Sequence, residues 1–496
     1  MMSKINVKEF LVLKARQKAH LYKKLKSRKL HSKWISYKTL KTEKRYFDDI
    51  IHQLINKVKE IQKLSEITID KGTIKLVDYS ILSYNGDLMG KVITKDDHIY
   101  RGIYKESCQA FIQLWKSGLL QALGEYGYIP ETTVTEYFTE DYPIIIEHQK
   151  VLISESKLWN YEMIKDACIQ MSIIQKVCNA FGFKLHDGHL NNVTFSNGRC
   201  LFTDIGSFML DDGFYLGQKS AMTFAGLYRL LFWNLDNSIL KRIQVYDEKN
   251  NSIWLTTMYY DDETIEYKCM LRKFLRYHLF RSSPVYNIII RKIFYLYDTR
   301  PEYISLAFKN DILYKSNIYS VDIEKIINYL KQTHMAICTC TDIGGNFGYL
   351  AEGIYKELKI HVKTIDYQDI GSEIAYCRFK TKNLPIDTFL YHYIYGSSNE
   401  TRHIIESDLV TAIDITNNIE IYQAWKFDSL LNSLSKITKK YVCITCHENS
   451  EVCEDLHSVK NTFKNFFELL YDMDFISGDN KPAILLVGKL KYYSQE

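Results

Sequence analysis

The stretch Met335–Tyr349, which reads MAICTCTDIGGNFGY, decides the fold of the C-terminal part of the chain. An apolar run ends near Asp342, a glycine-rich turn follows, and a helical pattern continues over residues 347–358. A buried strand, a tight turn and a helix form one βα unit. Because the first backbone N–H groups of a helix point at whatever lies before it, this turn predicts a site for a negatively charged ligand group.

Strand and helix patterns continue to alternate around this unit. A helical pattern precedes it at residues 323–332. Further strand patterns follow it at residues 360–365, 408–414, 441–446 and 483–489. Such alternation predicts a mostly parallel, doubly wound sheet whose ligand lies beyond the carboxyl ends of the strands. Asp366 follows the second strand directly, at the position where an acid binds ribose hydroxyl groups in folds of this kind.

The glycine spacing separates two possible cofactors. A dinucleotide site has Gly-x-Gly-x-x-Gly, and from Gly344 the second and third glycine positions fall on Asn346 and Tyr349. The pattern Asp342-x-Gly344-x-Asn346-x-Gly348 instead resembles motif I of class I S-adenosylmethionine methyltransferases. An NAD-binding fold and a degenerate Rossmann domain that binds nothing are the alternatives.

This resemblance implies a cofactor site with assigned parts. The methionine half of S-adenosylmethionine would be bound by the motif residues Asp342, Gly344, Gly345, Asn346 and Gly348. Asp366 would bind the ribose. Asp408 and Asp414 flank the fourth strand, and Asp414 is expected to face the adenine or the methyl acceptor.

A second motif lies in the middle of the chain, in the stretch Leu185–Phe208. The dipeptide Asn197-Gly198 between apolar runs predicts a β-hairpin with a two-residue turn. We expect this hairpin to bring Asn192 and Asp204 together at one end, close to Asp187. Phosphoryl transfer uses such a set, with one carboxylate beside the attacking hydroxyl and an amide and a second carboxylate on Mg²⁺.

The pattern Asp187-x-x-x-x-Asn192 followed by Asp204-x-Gly resembles the catalytic and metal-binding loops of the kinase-like fold. The aminoglycoside-phosphotransferase variant also has a His two residues after the first Asp, as His189 is here. The resemblance implies Asp187 as the catalytic base, Asn192 and Asp204 as Mg²⁺ ligands, and ATP as a cofactor. The alternative is a polar hairpin with a buried Asp–His pair.

The segment before this hairpin has the pattern of a kinase-like small lobe. Strand patterns are followed by one predicted helix from Lys105 to about Leu123. Arg101 occupies the strand position nearest to that of the phosphate-pairing Lys, and Glu106 is its candidate partner. Arg and Lys are not interchangeable at such a site. A strong amphipathic helix over residues 157–181 then leads into the hairpin.

Together the two motifs resemble a group of bacterial methyltransferases, related to the nodulation type, that join a kinase-like N-terminal region to a class I domain. The resulting plan is a basic helical segment 1–65, a two-lobe kinase-like domain 66–315 of α+β type, and an α/β Rossmann-like methyltransferase domain 316–496. We expect methyl transfer to a small molecule, a glycan or a lipid-linked sugar. Departures from the group include Asn417-Asn418 and Thr445-Cys446-His447.

Three other functions remain open at this stage. The chain could be a bifunctional kinase and methyltransferase, an active sugar kinase with a non-catalytic Rossmann domain, or a non-enzymatic docking module. The docking hypothesis depends on residues 1–40, which hold twelve Lys or Arg against one acid, Glu9. Such a segment suits a solvated helix face or peripheral contact with an anionic surface. Nucleic acid is disfavoured because no aromatic platform is interleaved.

Composition fits a cytoplasmic enzyme. The 496 residues are 46% hydrophobic and 25% charged, with a net charge of +5. There is no apolar run of the length that a transmembrane helix needs. The eleven cysteines lack a disulfide-scaffold spacing, which favours reduced thiols. Cys443 and Cys446 are three apart on a predicted strand and so point to opposite faces, which disfavours haem or zinc there.

Overall fold

A computed structural model of the protein describes residues 49–63, 72–82, 88–154, 158–186, 192–211, 241–247, 252–258, 323–366, 369–391, 402, 404–415, 427–448, 455–477 and 482–491. The helices are α1 (residues 49–63), α2 (Cys108–Lys116), α3 (Leu119–Glu125), α4 (Tyr161–Ala180), α5 (Ile323–Gln332), α6 (Tyr349–Leu358), α7 (Asp369–Thr381), α8 (Phe427–Ser435) and α9 (Leu456–Phe466).

The strands of the N-terminal half are β1 (Ile74–Lys75), β2 (Ser80–Ile81), β3 (Gly90–Lys95), β4 (His98–Ile103), β5 (Thr132–Val134), β6 (Tyr137–Phe138), β7 (Ile144–His148), β8 (Phe183–Leu185), β9 (Val193–Ser196), β10 (Arg199–Phe202), β11 (Phe208–Leu210), β12 (Lys241–Asp247) and β13 (Ser252–Met258). Those of the C-terminal half are β14 (Thr339–Ile343), β15 (His361–Asp366), β16 (Asp387–Leu390), β17 (Ser407–Ala412), β18 (Thr438–His447), β19 (Phe467–Ile476) and β20 (Pro482–Leu490).

The C-terminal half contains a seven-stranded sheet in the order β16-β15-β14-β17-β18-β20-β19. The first five strands in that order are parallel, and β20 pairs antiparallel with both β18 and β19. The chain leaves β14 toward β15 and later returns to β17 on the other side of β14. Strand order therefore reverses between β14 and β17, which is where ligands bind in open α/β sheets.

This sheet confirms the predicted doubly wound architecture and shows what the patterns missed. The helix predicted at residues 323–332 is α5, and the five predicted strands are β14, β15, β17, β18 and β20, with ends shifted by a few residues. The sequence prediction did not include β16 or the edge strand β19. In β19 one face is exposed and the other only half-buried, so its pattern lacks the strong apolar signal of a central strand.

The N-terminal half contains a five-stranded antiparallel sheet in the order β2-β3-β4-β7-β5. Helices α2 and α3 lie in the chain between β4 and β5. Asp96 and Asp97 adopt φ values of 49° and 68° and form the tight turn between β3 and β4. Two successive left-handed residues suit the right-handed twist of the paired strands.

The single helix predicted from Lys105 to about Leu123 is wrong in detail. A 3-10 turn at Lys105–Ser107 leads into α2, and a break at Gly118 separates α2 from α3. Gly118 has φ of 74°, a left-handed conformation that cannot continue a helix. A Cβ on Gly118 would also lie 2.9 Å from the Ile61 side chain of α1, so the break lets α1 pack closely.

Helix α4 begins at a side-chain cap and ends at a glycine. The Asn160 side chain accepts a hydrogen bond from Met163 N at 3.0 Å, which satisfies one of the free N–H groups of the first turn. Gly182, with φ of 76°, follows the helix as predicted. The buried face of α4 includes Trp159 just before it and Met163 and Val177 within it.

The predicted hairpin is confirmed. Strands β9 and β10 pair antiparallel, and Asn197 and Gly198 form the turn with φ of 53° and 68°. This turn contacts the C-terminal half, because Gly198 N donates a hydrogen bond to Asp387 Oδ1 at 2.9 Å. None of the helices in the described parts of the chain is long and apolar enough to span a membrane.

Candidate functional site

The glycine-rich loop joins β14 to α6 at the point where strand order reverses. Gly344, Asn346 and Gly348 have φ values of 72°, 48° and 77°, so the loop uses three left-handed residues. Gly344 N and Gly345 N donate hydrogen bonds to Ile365 O at 2.8 Å and 3.2 Å. The loop is thus fixed to the carboxyl end of β15.

The glycines of this loop have different physical roles. A Cβ on Gly345 would overlap Thr364 Oγ1, and a Cβ on Gly348 would overlap the ring of Phe379 in α7. Both positions are therefore closed by the protein itself. A Cβ on Gly344 would have its nearest neighbour, Ile415 Cγ2, at 3.7 Å. Among the described residues, Gly344 is therefore the one of the three positions that no protein atom closes.

Asp342 lies beneath the loop and not on its outer surface. Its side chain is buried, with the whole residue 1% exposed. Thr411 Oγ1 donates a hydrogen bond to Asp342 Oδ1 at 2.7 Å, and among the described residues Asp342 Oδ2 has no hydrogen-bond partner. Burial raises the pKa of Asp342 to about 7, the Thr411 hydrogen bond opposes this, and the negative charge of Asp366 adds to it.

Asp366 ties the end of β15 to the loop. Its Oδ2 accepts a hydrogen bond from Asn346 N at 2.7 Å, and the residue is 7% exposed. A Cβ on Gly371, near the start of α7, would lie 3.2 Å from Asn346 Oδ1 and 3.5 Å from Asp366 Oδ2. The predicted ribose-binding acid therefore lies between the loop and α7. It borders the crevice beyond the carboxyl ends of β15, β14 and β17.

Asp414 lies just past the carboxyl end of β17, on the other side of the crevice. Its backbone N donates to Thr445 Oγ1 at 2.7 Å, and its Oδ1 accepts from Thr445 Oγ1 at 3.2 Å. His447 Nε2 lies 3.1 Å from the same Oδ1. Asp408 is at the amino end of the strand, where its Oδ2 accepts from Cys338 N at 2.8 Å. Asp414 is thus the acid of this pair that lies at the carboxyl end of β17.

A second polar cluster joins β4 to the hairpin region. Arg101 Nη2 lies 3.4 Å from Asp204 Oδ1, and Asn192 Nδ2 donates to Asp204 Oδ2 at 3.3 Å. Gly206 N also donates to Oδ1 at 3.1 Å, and Ser207 Oγ donates to Oδ2. The fold therefore brings three of the predicted kinase-like residues together. The fourth, Asp187, and the neighbouring His189 lie outside the described residues.

The suggested pairing of Arg101 with Glu106 is wrong. Arg101 is 3% exposed and is directed at Asp204, whereas Glu106 is exposed on the 3-10 turn before α2. Strand β4 points Arg101 into the interior while Glu106 lies on the surface, so the two side chains diverge.

Burial, and to a lesser degree the positive charge of Arg101, lowers the pKa of His148 to about 3.

The structure also shows where other residues of the sequence analysis lie. Cys443 and Cys446 are both buried in β18, and burial raises the pKa of Cys443. No group of His, Cys, Asp or Glu within the described ranges is arranged to hold a metal ion. Residues 1–40 and the pair Asn417-Asn418 lie outside those ranges.

Sequence reasoning missed the side chains that hold the crevice acids. Thr411 supports Asp342, and Thr445 and His447 support Asp414. Pairing register was the missing information, because Thr411 and Asp342 are adjacent only once β14 lies beside β17. The sequence analysis treats His447 only as a departure from a family pattern. A His at the end of one strand, with Asp414 at the end of the neighbouring strand, was a usable signal for this contact.

Comparison with known proteins finds similar solved structures over about a third of the chain, at low identity. No protein-family model and no curated protein matches the sequence. The N-methyltransferase NodS from Bradyrhizobium japonicum WM9, in complex with S-adenosyl-L-homocysteine, shares 10% identity over 34% of this chain and 85% of its own, with a TM-score of 0.28. The magnesium protoporphyrin IX methyltransferase ChlM from Synechocystis PCC 6803, with bound S-adenosylmethionine, shares 11% over 34% and 78%, with a TM-score of 0.28.

Another similar structure carries a different activity in its name. The cyclase SpnF shares 10% identity over 34% of this chain and 81% of its own, with a TM-score of 0.28. Each activity belongs to the protein so named. The site residues of the present chain have to be judged from their own geometry.

Proposed function

We propose that the chain is an S-adenosylmethionine-dependent methyltransferase. The observation that carries the proposal is the position of the glycine-rich loop at the reversal of strand order between β14 and β17. An acid stands at the end of the neighbouring strand β15, where nucleoside hydroxyl groups bind in doubly wound folds. The strand order itself, with β20 antiparallel between β18 and β19, supports a class I domain over residues 316–496.

The residues of the crevice fit this cofactor. Gly344 offers an open stretch of left-handed backbone, and Asp366 is held at its edge by Asn346 N. The buried Asp342 Oδ2 has no hydrogen-bond partner among the described residues, which suits a position beneath a polar ligand. We assign Gly344, Asn346 and Asp366 to the binding surface. Asp342, Gly345 and Gly348 support the loop from below.

When bound, S-adenosylmethionine supplies a methyl group on a positively charged sulfonium. The protein then has to align an acceptor with that methyl group and keep water away, and alignment alone contributes a large part of the rate. Asp414 lies on the acceptor side of the crevice, past β17. We propose a small-molecule acceptor of the glycan or lipid-linked sugar class, because a kinase-like domain of the aminoglycoside-phosphotransferase type would sit beside the crevice.

Calorimetric titration of S-adenosylmethionine into the full chain tests the proposal. We expect micromolar binding, and a loss of about tenfold or more in Asp366→Asn, because that variant removes the carboxylate that accepts from a ribose hydroxyl. Asp474→Asn is the matched control, since Asp474 is an exposed acid of the edge strand β19. Wild-type protein that binds no S-adenosylmethionine would overturn the proposal.

The second candidate function is ATP and Mg²⁺ binding by a kinase-like domain over residues 66–315. It is favoured by the meeting of Arg101 with Asp204, which are 103 residues apart in the chain. The five-stranded sheet with two helices between β4 and β5, followed by α4 and the hairpin, also fits a kinase-like arrangement. Asp187 would be the base, with Asn192 and Asp204 on the metal.

One feature opposes tight metal binding at this site. The Asp204 carboxylate accepts from four donors of its own chain, including the guanidinium of Arg101 and the Ser207 hydroxyl. A metal ion would have to displace some of them. We therefore expect MgATP to bind weakly or not at all, and Asp204→Asn to abolish any binding that calorimetry detects. ATP turnover that Asp187→Asn abolishes would instead establish a bifunctional enzyme.

A further inference from the structure

Asp414 is placed near the proposed cofactor site because its neighbour in the chain lies close to the glycine-rich loop. The next residue, Ile415, has its Cγ2 only 3.7 Å from the place where a Cβ on Gly344 would lie. Gly344 is the open position of the loop. A ligand that lies over Gly344 therefore has the chain segment of Asp414 beside it, beyond the ends of β14 and β17.

The backbone of Asp414 is held in a strained conformation. Asp414 has φ of 59°, a left-handed value that side chains other than Gly adopt at some cost. Three contacts to Thr445 and His447 fix it there. His447 is itself buried, so the imidazole steadies the acid from behind, whereas the Asp414 side chain is 16% exposed. Strain that neighbouring groups maintain at a crevice is a frequent sign of function.

The crevice has three acids with different surroundings. Asp342 is fully buried, and its raised pKa of about 7 makes it a weak source of negative charge. Asp366 stands at the β15 side, where it accepts from the loop. Asp414 stands on the β17 and β18 side, partly exposed. It lies past the end of β17, across the end of β14 from Asp366, and so beside the part of a ligand that covers Gly344.

We propose that Asp414 faces the sulfonium of bound S-adenosylmethionine and makes the site prefer this cation to the neutral product S-adenosylhomocysteine. This inference rests on the proposed function. Cofactor and product differ at that centre by one methyl group and one positive charge. A carboxylate in a partly desolvated crevice attracts a nearby cation far more strongly than one in water does. Asp414 would thus favour release of the product, and Thr445 and His447 act as positioning residues.

The test compares two ligands in three proteins. Calorimetry measures the dissociation constants of S-adenosylmethionine and S-adenosylhomocysteine for the full wild-type chain, for Asp414→Asn and for Asp408→Asn. In Asp414→Asn we expect S-adenosylmethionine to bind about tenfold more weakly, as loss of a nearby opposite charge implies. Binding of S-adenosylhomocysteine should change little, and this also shows that the variant is folded.

Asp408→Asn is the matched control, because Asp408 lies at the opposite end of β17 and should leave the ratio of the two constants unchanged. An unchanged ratio of the two dissociation constants in Asp414→Asn, with or without an equal weakening of both ligands, would overturn the inference. Wild-type protein that binds neither ligand would overturn the proposed function itself, which separates the two failures.

Discussion

The Tyr376 hydroxyl donates a hydrogen bond to Asp166 Oδ2 at 2.6 Å, although the two residues are 210 positions apart. Asp166 belongs to α4 of the N-terminal half, and Tyr376 belongs to α7 beside the cofactor crevice. Lys380 of α7 also pairs with Asp166. Burial, with the negative charge of Asp166, raises the pKa of Tyr376 well above its usual value, so the phenol stays a donor. The two halves are joined by a buried polar contact.

Removing Asp166 should loosen this junction. In Asp166→Ala the Tyr376 hydroxyl and the Lys380 ammonium lose their acceptor, and an unsatisfied buried donor costs about 1–3 kcal/mol. We expect the free energy of unfolding, measured by urea titration, to fall by that amount. Glu140→Gln is the control, because Glu140 forms an exposed pair with Lys75 and its loss should have no measurable effect. Equal midpoints for Asp166→Ala and wild type would show that the contact adds no stability.

Asn160 connects the same two helices in a second way. Its side-chain oxygen caps α4, and its Nδ2 donates to Ser372 O at 3.1 Å and Ser372 Oγ at 2.9 Å in α7. Asn160→Asp keeps the capping oxygen but removes the amide donor, whereas Asn160→Ala removes both.

We expect thermal unfolding to rank wild type above Asn160→Asp and Asn160→Ala, with a loss of about 1–3 kcal/mol in each from the broken buried contact. Since Gly371, the residue before Ser372, borders the loop at Asn346, binding of S-adenosylmethionine should weaken in both variants. A variant Asn160→Asp with wild-type stability and binding would limit Asn160 to capping.

Alanine at two loop glycines should separate binding from stability. Gly344→Ala places a methyl group in ordinary contact with Ile415, so it should cost only about 1–2 kcal/mol of left-handed strain and should weaken ligand binding. Gly348→Ala adds a clash with the Phe379 ring to the same strain and should cost about 2–5 kcal/mol.

Differential scanning calorimetry and ligand titration of both variants check this. Phe379→Leu in the Gly348→Ala background should recover part of the lost stability, because a smaller side chain relieves the overlap. The prediction is wrong if Gly348→Ala melts with Gly344→Ala, since both would then carry strain alone.

Local patterns predicted most of the C-terminal fold and failed where pairing decides the outcome. The predictions of a strand ending near Asp342 and of a hairpin turn at Asn197-Gly198 were correct. Strand burial and turn conformation are encoded in a few adjacent residues. The strand β19 was missed because its exposed face mixes acids and apolar residues and its other face is mostly only half-buried. The break at Gly118 was missed because it serves close packing against Ile61, which no local pattern records.

The site was predictable in part for the same reason. Motif spacing predicted that Gly344 lies in the loop, and strand ends predicted that Asp366 and Asp414 lie at the carboxyl edge of the sheet. The supports of these residues come from strands distant in sequence, such as Thr411 for Asp342. Motif spacing also implied that all loop glycines admit a ligand. Only the folded packing shows that Gly345 and Gly348 are filled by Thr364 and Phe379.

The buried Asp342 should make stability fall as pH rises through the neutral range. Burial raises its pKa from an ordinary 3.8 to about 7 in the folded protein. Between those values the folded state holds a proton that the unfolded state has released, so unfolding becomes easier as pH increases. The contribution is fully present below pH 4 and is lost above pH 7, with an upper limit of ~4 kcal/mol.

Comparison with Asp342→Asn isolates this contribution, because the amide is neutral at every pH and can still accept from Thr411. We expect the variant to gain stability relative to wild type from pH 4 to pH 7, and the difference to level off above pH 7. Urea unfolding of both proteins across this range measures it. Asp474→Asn, which removes an exposed acid, is the control for a lost surface charge. A difference between Asp342→Asn and wild type that is constant from pH 4 to pH 8 would show that the carboxylate is ionised in the folded protein.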